Sequence, residues 1–248
     1  MTPLKMKDLT NSEKKTDCGH YVDCAIPRGP QVLEVSAGER LRRLFILDSS
    51  CPGLPFSSIV AREGADVDVC ILVMPGTDAE VPLYVDLAGE GAKVSLSGAW
   101  LCGAREKVSF TVVLRHRVGN CCSEQLFNGL AGGNSRTAFH GRILVAPDAQ
   151  QTKAFQTNHN ILLSDSAKVQ TKPQLEIYAD DVQCSHGATV GSLNPDEQFY
   201  MRSRGIPEAE AKILQMVSFL APVLAHVDDP LLREELLDRM QENLRGII

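Results

Sequence analysis

The sequence contains no apolar run of about 18 residues, which excludes a transmembrane helix. It also has no secretion signal, because the segment Met1–Lys15 is polar and rich in lysine and has no apolar centre. We therefore predict a protein that resides in the cytoplasm and does not contact a membrane. Residues 1–17 are expected to form a flexible leader ahead of the folded part.

Positive charge and aromatic side chains are both scarce. The 248 residues include 25 Lys and Arg against 31 Asp and Glu, a formal net charge of −6. Surfaces that bind nucleic acid are normally basic, so this balance argues against nucleic acid as a partner. Aromatic residues make up only 5% of a chain that is 44% hydrophobic. A core of ample size must then be built from Val, Leu, Ile and Ala, in one large domain or two small ones.

The chain lacks any C-x2-C pair, although it has eight cysteines. In a cytoplasmic protein these residues are expected to be thiols rather than disulfides. The adjacent Cys121 and Cys122 would point to opposite faces of a strand, which makes them a poor chelating pair. Most of the cysteines are therefore interpreted as small buried hydrophobic side chains.

The common catalytic motifs are also absent. No G-x-x-x-x-G-K-[ST] phosphate loop, no G-x-S-x-G nucleophile elbow and no H-E-x-x-H metal motif occurs. The glycine-rich segment Gly129–Gly133 lacks a following helix that would direct amides at a phosphate, so we predict a tight loop there. The many carboxylates form no visible pair of the kind that a polysaccharide hydrolase needs. We predict that the chain is not an enzyme.

Short strands separated by turn residues fill the chain from residue 30 to residue 190. The segments beginning at Gly64-Ala65 and Gly91-Ala92 share one form, a Gly-Ala turn followed by alternating apolar residues, and lie 27 positions apart. Strands of this length that recur with Gly, Asn, Asp and Ser between them indicate a sandwich, a barrel or a solenoid. The spacing favours a β-solenoid of stacked turns over residues 18–194, with a β-sandwich as the alternative.

After Gly191 the pattern becomes helical, and residues 195–248 are predicted to form a C-terminal helical domain. Pro195–Met201 is expected to form one or two helical turns. A helix should begin near Pro207 and be kinked or ended by Pro222. Its predicted buried face consists of Ala211, Leu214, Val217, Ser218 and Ala221. A second helix should follow Pro230, with a buried stripe at steps of four formed by Leu232, Leu236, Met240 and Leu244.

Cys184 and His186 are the candidate metal ligands. In a strand they point to the same face, roughly 7 Å apart at the backbone, and a thiolate with an imidazole suits zinc or iron. Two ligands do not close a site, so others must come from Asp180, His159 or His140, or from another molecule. The alternative is a buried cysteine and a hydrogen-bonded histidine in a tight turn, which spacing alone favours.

Three long segments resemble the SufB/SufD family of iron–sulfur cluster assembly scaffolds: Gly141–Ser164, Pro173–Gly191 and Gln198–Ile206. The resemblance is strong from about Gln125 to the C-terminus and is specific enough to reverse the preference for an inert Cys184 and His186. Within the family the chain is most similar to SufD. Gly187 follows the histidine where SufB-like chains tend to have Glu, and the C-x-x-C cysteines of some SufB-like chains are missing.

The resemblance implies a right-handed parallel β-helix followed by helices, in accord with the predicted solenoid. It also implies a non-catalytic scaffold subunit of the SUF assembly complex. A SufB-like subunit would pair with the β-helix edge, and a SufC-like ABC ATPase would dock on residues 195–224. His186 and Cys184 would then hold iron or a transient Fe–S cluster at the subunit interface, with His186 the nearer ligand.

One departure from the family is the missing N-terminal helical region, since the β pattern begins by about residue 20. The chain is therefore interpreted as a short form. Two other functions stay open at this point. One is a β-solenoid enzyme that acts on carbohydrate without being secreted, and the other is a homodimeric structural protein in which Cys184 and His186 are merely packed.

Overall fold

The computed structural model describes residues 14–15, 21–23 and 32–247. The predicted leader at residues 1–17 lies outside these residues apart from Lys14–Lys15. The described part contains fourteen strands followed by three helices, with these bounds: β1 (Lys14–Lys15), β2 (Tyr21–Asp23), β3 (Val32–Val35), β4 (Arg40–Leu47), β5 (Ser58–Ala61), β6 (Asp66–Val73), β7 (Ala79–Leu87), β8 (Lys93–Cys102), β9 (Lys107–His116), β10 (Cys122–Ala131), β11 (Arg136–Val145), β12 (Thr152–Leu162), β13 (Lys168–Ile177), β14 (Val182–Ser192), α1 (Pro195–Ser203), α2 (Glu208–Leu224) and α3 (Pro230–Arg245).

From β2 onward, successive strands alternate between two sheets, so that each turn of the solenoid adds one strand to each sheet. An eight-stranded sheet runs in the order β1-β2-β4-β6-β8-β10-β12-β14, and a six-stranded sheet runs β13-β11-β9-β7-β5-β3. All neighbours are parallel except β1 and β2. This arrangement is a parallel β-solenoid of about six turns, which confirms the predicted fold class. A β-sandwich is excluded, because its consecutive strands would pair antiparallel.

Each turn of the solenoid is closed by a tight corner, as the repeated Gly-Ala pairs predicted. Gly64 and Gly91 adopt φ values of 62° and 71°, in the left-handed region where glycine carries no steric cost. The Gly64 amide donates to the Glu90 carbonyl at 2.9 Å, which joins one corner to the next. Turn length grows along the chain, from 26 residues between Arg42 and its neighbour Asp68 to 31 residues further on.

The space between the two sheets, here called the lumen, is filled by alternate side chains of every strand. In its middle four aromatic residues form a continuous stack that crosses from one sheet to the other. Ring centroids are 5.2 Å apart between Trp100 and Phe110, 5.5 Å between Phe110 and Phe127, and 4.9 Å between Phe127 and Phe139. Aromatic contacts at these distances stabilise a core beyond the area that they bury.

The predicted loop at Gly129–Gly133 was wrong in its first half. Gly129 lies inside β10, in register with Trp100 of β8. A Cβ at Gly129 would come within 2.1 Å of the Trp100 ring, so the indole occupies the place of a side chain. The corner itself begins at Gly132, and Gly133 has a φ of 56°.

Helices α2 and α3 cover the outer face of the eight-stranded sheet. Leu44, Cys70 and Leu101 point outward from β4, β6 and β8 and pack against α2 and α3 in a second apolar cluster. These strands are therefore buried on both faces, which explains why they read as continuous apolar runs. Within the described residues no helix is both long and apolar enough to cross a membrane.

The predicted stripe of α3 is confirmed, whereas that of α2 is largely wrong. Leu232, Leu236, Met240 and Leu244 are all buried. In α2, however, Leu214 is 41% exposed, and the buried face consists of Ala211, Ile213, Met216, Leu220, Val223 and Leu224. Helix α2 carries apolar residues on most of its sides. Packing against the sheet therefore determines which face is buried, and the spacing of apolar residues in the sequence does not. Pro222 lies inside α2, two residues before the helix ends.

Candidate metal centre

Cys184 and His186 lie on β14, two residues apart, as the sequence predicted for a strand. They are in register with Ala154 and Gln156 of β12, which are buried in the lumen. Because residues in register on parallel strands share a face, both candidate ligands belong to the lumen side of β14. Cys184 is half-buried and packs against the lumen core, while His186 is exposed.

The site is exposed because β13 and β14 form the last turn of the solenoid. Each is the final strand of its sheet, so no further strand of the described chain pairs with either. From Ser185 to Ser192 every residue of β14 is exposed, although β12 directly beneath it is largely buried. The lumen is thus open at this end, and Cys184 and His186 stand at its opening.

Below the last turn the lumen changes from apolar to polar. Gln156 Nε2 donates to Gln125 Oε1 at 3.1 Å, and Asn158 Nδ2 donates to the Phe127 carbonyl at 3.0 Å. Asn160 Nδ2 donates to Asn158 Oδ1 at 2.8 Å. Gln156 is in register with His186, and its Oε1 atom is buried without a hydrogen-bond partner. An unpaired buried acceptor is unfavourable, so a hydrogen-bond donor on the residue in register, His186, suits this position.

Burial raises the pKa of the Cys184 thiol, and a hydrogen bond from the Ala154 backbone lowers it only in part. The thiol is therefore protonated at neutral pH in the isolated chain. A metal ligand must be a thiolate, so metal binding at Cys184 would release a proton. A thiolate and a neutral imidazole together suit zinc or iron, as in the sequence-based prediction.

The additional ligands considered from sequence lie elsewhere. His159 is on the outer face of the eight-stranded sheet, where its Nδ1 is 2.7 Å from the Thr189 hydroxyl. His140 is exposed on the outer face of the six-stranded sheet, and Asp180 is exposed in the corner before β14. No group of three or more metal-binding side chains occurs among the described residues. The chain itself offers a half-site of two donors.

Exposed apolar side chains around the last turn were missed by the sequence analysis. Ile177, the last residue of β13, and Tyr178 directly after it are 40% and 61% exposed, and Val190 on β14 is 45% exposed. Phe199 and Tyr200 on α1 are 73% and 60% exposed. Ile177 and Val190 are in register with the buried Val145 and Asn160, so only their position on the last turn leaves them exposed.

Fold and site together define a class of protein: a parallel β-solenoid with helices on one outer face and a thiol–imidazole pair on its open last turn. Residues 54–219 match the SufBD core domain of the SUF system for FeS cluster assembly. The chain belongs to the SufBD family, which confirms the resemblance seen in the sequence.

Several relatives share this core. The iron-sulfur cluster assembly protein SufD of Escherichia coli (strain K12) is 38% identical over 160 residues, covering 64% of this chain and 38% of that protein. The SufD protein of Bacillus subtilis (strain 168) is 30% identical over 139 residues, 56% of this chain and 29% of the relative. A SufBD family protein of Mycobacterium bovis is 28% identical over 220 residues, 85% of this chain and 55% of the relative. The chain thus spans about half or less of these proteins.

Proposed function

We propose that this chain is a non-catalytic scaffold subunit for Fe–S cluster assembly, of the SufD type, working in the reducing cytoplasm where its cysteines stay thiols. The supporting observation is the half-site of Cys184 and His186 at the open end of the solenoid. Two soft donors at a free edge suit the transient holding of iron or a nascent cluster that a second subunit also ligates. Family membership and the names of the relatives point the same way.

A SufB-like subunit is the proposed partner at the edges of β13 and β14. Their outward backbone groups have no partner strand in the described chain, and such an edge is a template for pairing with another chain. The exposed Ile177, Tyr178 and Val190 would be covered there. A second copy of this chain is expected to occupy the same edge when the SufB-like subunit is absent.

A SufC-like ABC ATPase is the proposed partner of residues 195–224. Helix α1 begins at a cap in which Asn194 accepts hydrogen bonds from Asp196 and Glu197, yet none of its residues is buried. A stable helix that presents Phe199 and Tyr200 to solvent has the composition of a docking surface. The packing of α2 on the solenoid would carry movement of a docked ATPase toward the last turn.

The test is reconstitution under anaerobic conditions with a SufB-like subunit and a SufC-like ATPase, followed by iron analysis of the purified complex. His186→Ala should leave the complex and its fold intact and abolish cluster assembly, because the nearer ligand is lost. Ser185→Ala is the matched control, since Ser185 is exposed on the opposite face of the same strand.

Unchanged cluster assembly in His186→Ala would contradict the role in metal binding, and failure of the native chain to co-purify with the other subunits would contradict the scaffold role. Turnover of polysaccharide by the isolated chain would instead favour the carbohydrate enzyme.

A further inference from the structure

The outer face of the six-stranded sheet carries a column of positive charge that the proposed scaffold function does not use. The helices pack on the other sheet and leave this face open. Lys107, Arg136 and Lys168 are the first residues of β9, β11 and β13, and they lie in register. Adjacent strands are about 4.8 Å apart, so three cations occupy a column about 10 Å long.

Such a column is unfavourable unless something offsets it. Like charges directly opposite on neighbouring strands destabilise a sheet. Within the described part of the chain, none of the three cations forms an ion pair with a carboxylate, whereas Arg62, Arg117 and Arg142 do. The chain as a whole is acidic, with a net charge of −6, so the column does not follow from composition.

The column borders a cleft of about 900 Å³. The floor of the cleft consists of the small or polar side chains Ser109, Ala138 and Gln170, which occupy the next outward position on the same three strands. On the far side of this floor the following outward position adds His140 and Lys172, both exposed. Lys172 therefore places positive charge on the far side of a floor that offers a hydroxyl and an amide.

Carboxylates are present at only one end of the cleft. Asp78 and Glu80 lie beside the β9 end, and Asp78 Oδ1 accepts a hydrogen bond from the Lys107 backbone at 2.7 Å. Positive charge is therefore concentrated over β11 and β13, around Arg136 and Lys168.

We propose that this cleft binds a small anion carrying two or three linked phosphate groups. In such an anion each terminal phosphate carries between about one and two negative charges and three non-bridging acceptor oxygens, and the charges of neighbouring phosphates are close together, which matches closely spaced cations. The planar guanidinium of Arg136 can hold two oxygens of one group, and Lys107 and Lys168 supply point charges on either side. An acidic peptide in an extended strand would place its carboxylates farther apart, because successive side chains on one face are about 7 Å apart.

The experiment is calorimetric titration of the purified chain with inorganic tripolyphosphate. Arg136→Ala should weaken binding about tenfold to a hundredfold, as expected for loss of a charge-assisted hydrogen bond. Lys168→Ala should weaken it as well, and rising salt should weaken it further. Lys93→Ala is the matched control, because Lys93 is likewise an exposed first residue of a strand, β8 of the other sheet, and this variant should bind like the native chain.

Three results would overturn the proposal. The first is no heat of binding with the native chain, and the second is a loss of affinity in the Lys93 variant as large as that in the Arg136 variant. The third is tighter binding of poly-glutamate or single-stranded RNA than of tripolyphosphate, dependent on the same residues, which would assign the cleft to a macromolecular partner. Melting curves establish that each variant is folded, and Lys168 lies on an exposed edge strand where truncation spares the core. These outcomes are independent of co-purification and iron content.

Discussion

At the scale of single residues, His116 shows how the lumen controls protonation. Its side chain is fully buried, and desolvation lowers its pKa from the ordinary 6.5 to about 4. Its Nε2 lies 2.8 Å from the Ser123 hydroxyl, while Nδ1 is buried without a partner. The imidazole is therefore neutral in the folded protein at pH values where an unfolded chain would already be protonated.

This difference predicts acid sensitivity. The unfolded state takes up a proton at His116 near pH 6.5 and the folded state near pH 4. The stability contributed by keeping His116 neutral is therefore complete above about pH 6.5 and is lost as the pH falls from 6.5 toward 4. The free energy of unfolding should drop by about 2 kcal/mol between about pH 7 and pH 5 from this residue alone. Urea unfolding at both pH values measures it. His116→Asn should reduce this loss of unfolding free energy, whereas the control His159→Asn, on the outer face, should leave it unchanged. An equal loss in the native chain and in His116→Asn would show that His116 is not its source.

Single residues also show what sequence can and cannot reveal. The spacing of Cys184 and His186 was enough to predict a shared face, because a strand alternates with a period of two. Gly129 was misassigned because its reason lies in a different turn, where Trp100 fills the space beside it. The polar partner in register with His186 is Gln156, 30 positions away by the pairing of β12 and β14, and no local pattern indicates it.

At the scale of elements, α1 is the least embedded helix of the described chain. Polar side chains tie it to α2: Gln215 Nε2 donates to Glu197 Oε2 at 2.8 Å, and Arg202 forms an ion pair with Glu208 at 3.7 Å. Arg204 lies 5.4 Å above the Tyr200 ring, which keeps that ring in place at the surface. An exposed aromatic pair on a preformed helix needs little ordering when a partner binds.

We therefore predict that the double change Phe199→Ala and Tyr200→Ala weakens binding of the ATPase at least tenfold, since buried aromatic anchors dominate interface energies. Neither ring is buried in the chain alone, so its melting temperature should stay nearly constant. Biolayer interferometry with the immobilised chain measures the affinity. Leu231→Ala is the control, because Leu231 is 65% exposed on α3, away from α1. Native affinity in the double variant would place the docking surface elsewhere.

The two longer helices differ in how well sequence predicts their buried faces. In α3 charged residues separate the apolar ones, so the stripe from Leu232 to Leu244 admits one interpretation. Helix α2 has apolar residues on several sides, and Leu214 and Ile213 are equally plausible members of a stripe. The choice depends on which face meets β8 and β10, a fact of the assembled fold.

At the scale of the whole molecule, each end of the solenoid presents a terminal strand at which a second subunit could pair. Val190 on β14 and Val32 on β3 are both exposed apolar residues on terminal strands. Val190→Lys should prevent pairing of subunits, because a lysine on an edge opposes strand addition and its burial would be costly. Light scattering after chromatography with the SufB-like subunit measures the mass of the complex. Val32→Lys should leave that mass unchanged, and the reverse pattern would move the interface to the other end.

The solenoid itself was predictable because its corners repeat, with Gly64 and Gly91 as the pair visible in the sequence. The packing of the helices on one of the two sheets was not predictable. Residues such as Leu44 and Cys70 face the helices while their neighbours face the lumen, so strands near the middle lose the alternation that would separate one sheet surface from the other. Sequence thus predicted the repeat and the helices but not which sheet the helices cover.

The contact between the last helices and the first turns has a consequence for how the chain is made. His226, two residues after α2, has its Nδ1 atom 3.3 Å from the hydroxyl of Ser95 on β8, 131 positions away in sequence. During synthesis the apolar outer face of β4, β6 and β8 emerges long before α2 and α3 that cover it. Domains begin to fold from the N-terminus on the ribosome, and apolar surface exposed in that interval favours aggregation. The nascent chain therefore exposes this apolar face until α2 and α3 have left the ribosome, and these helices would displace a chaperone bound there.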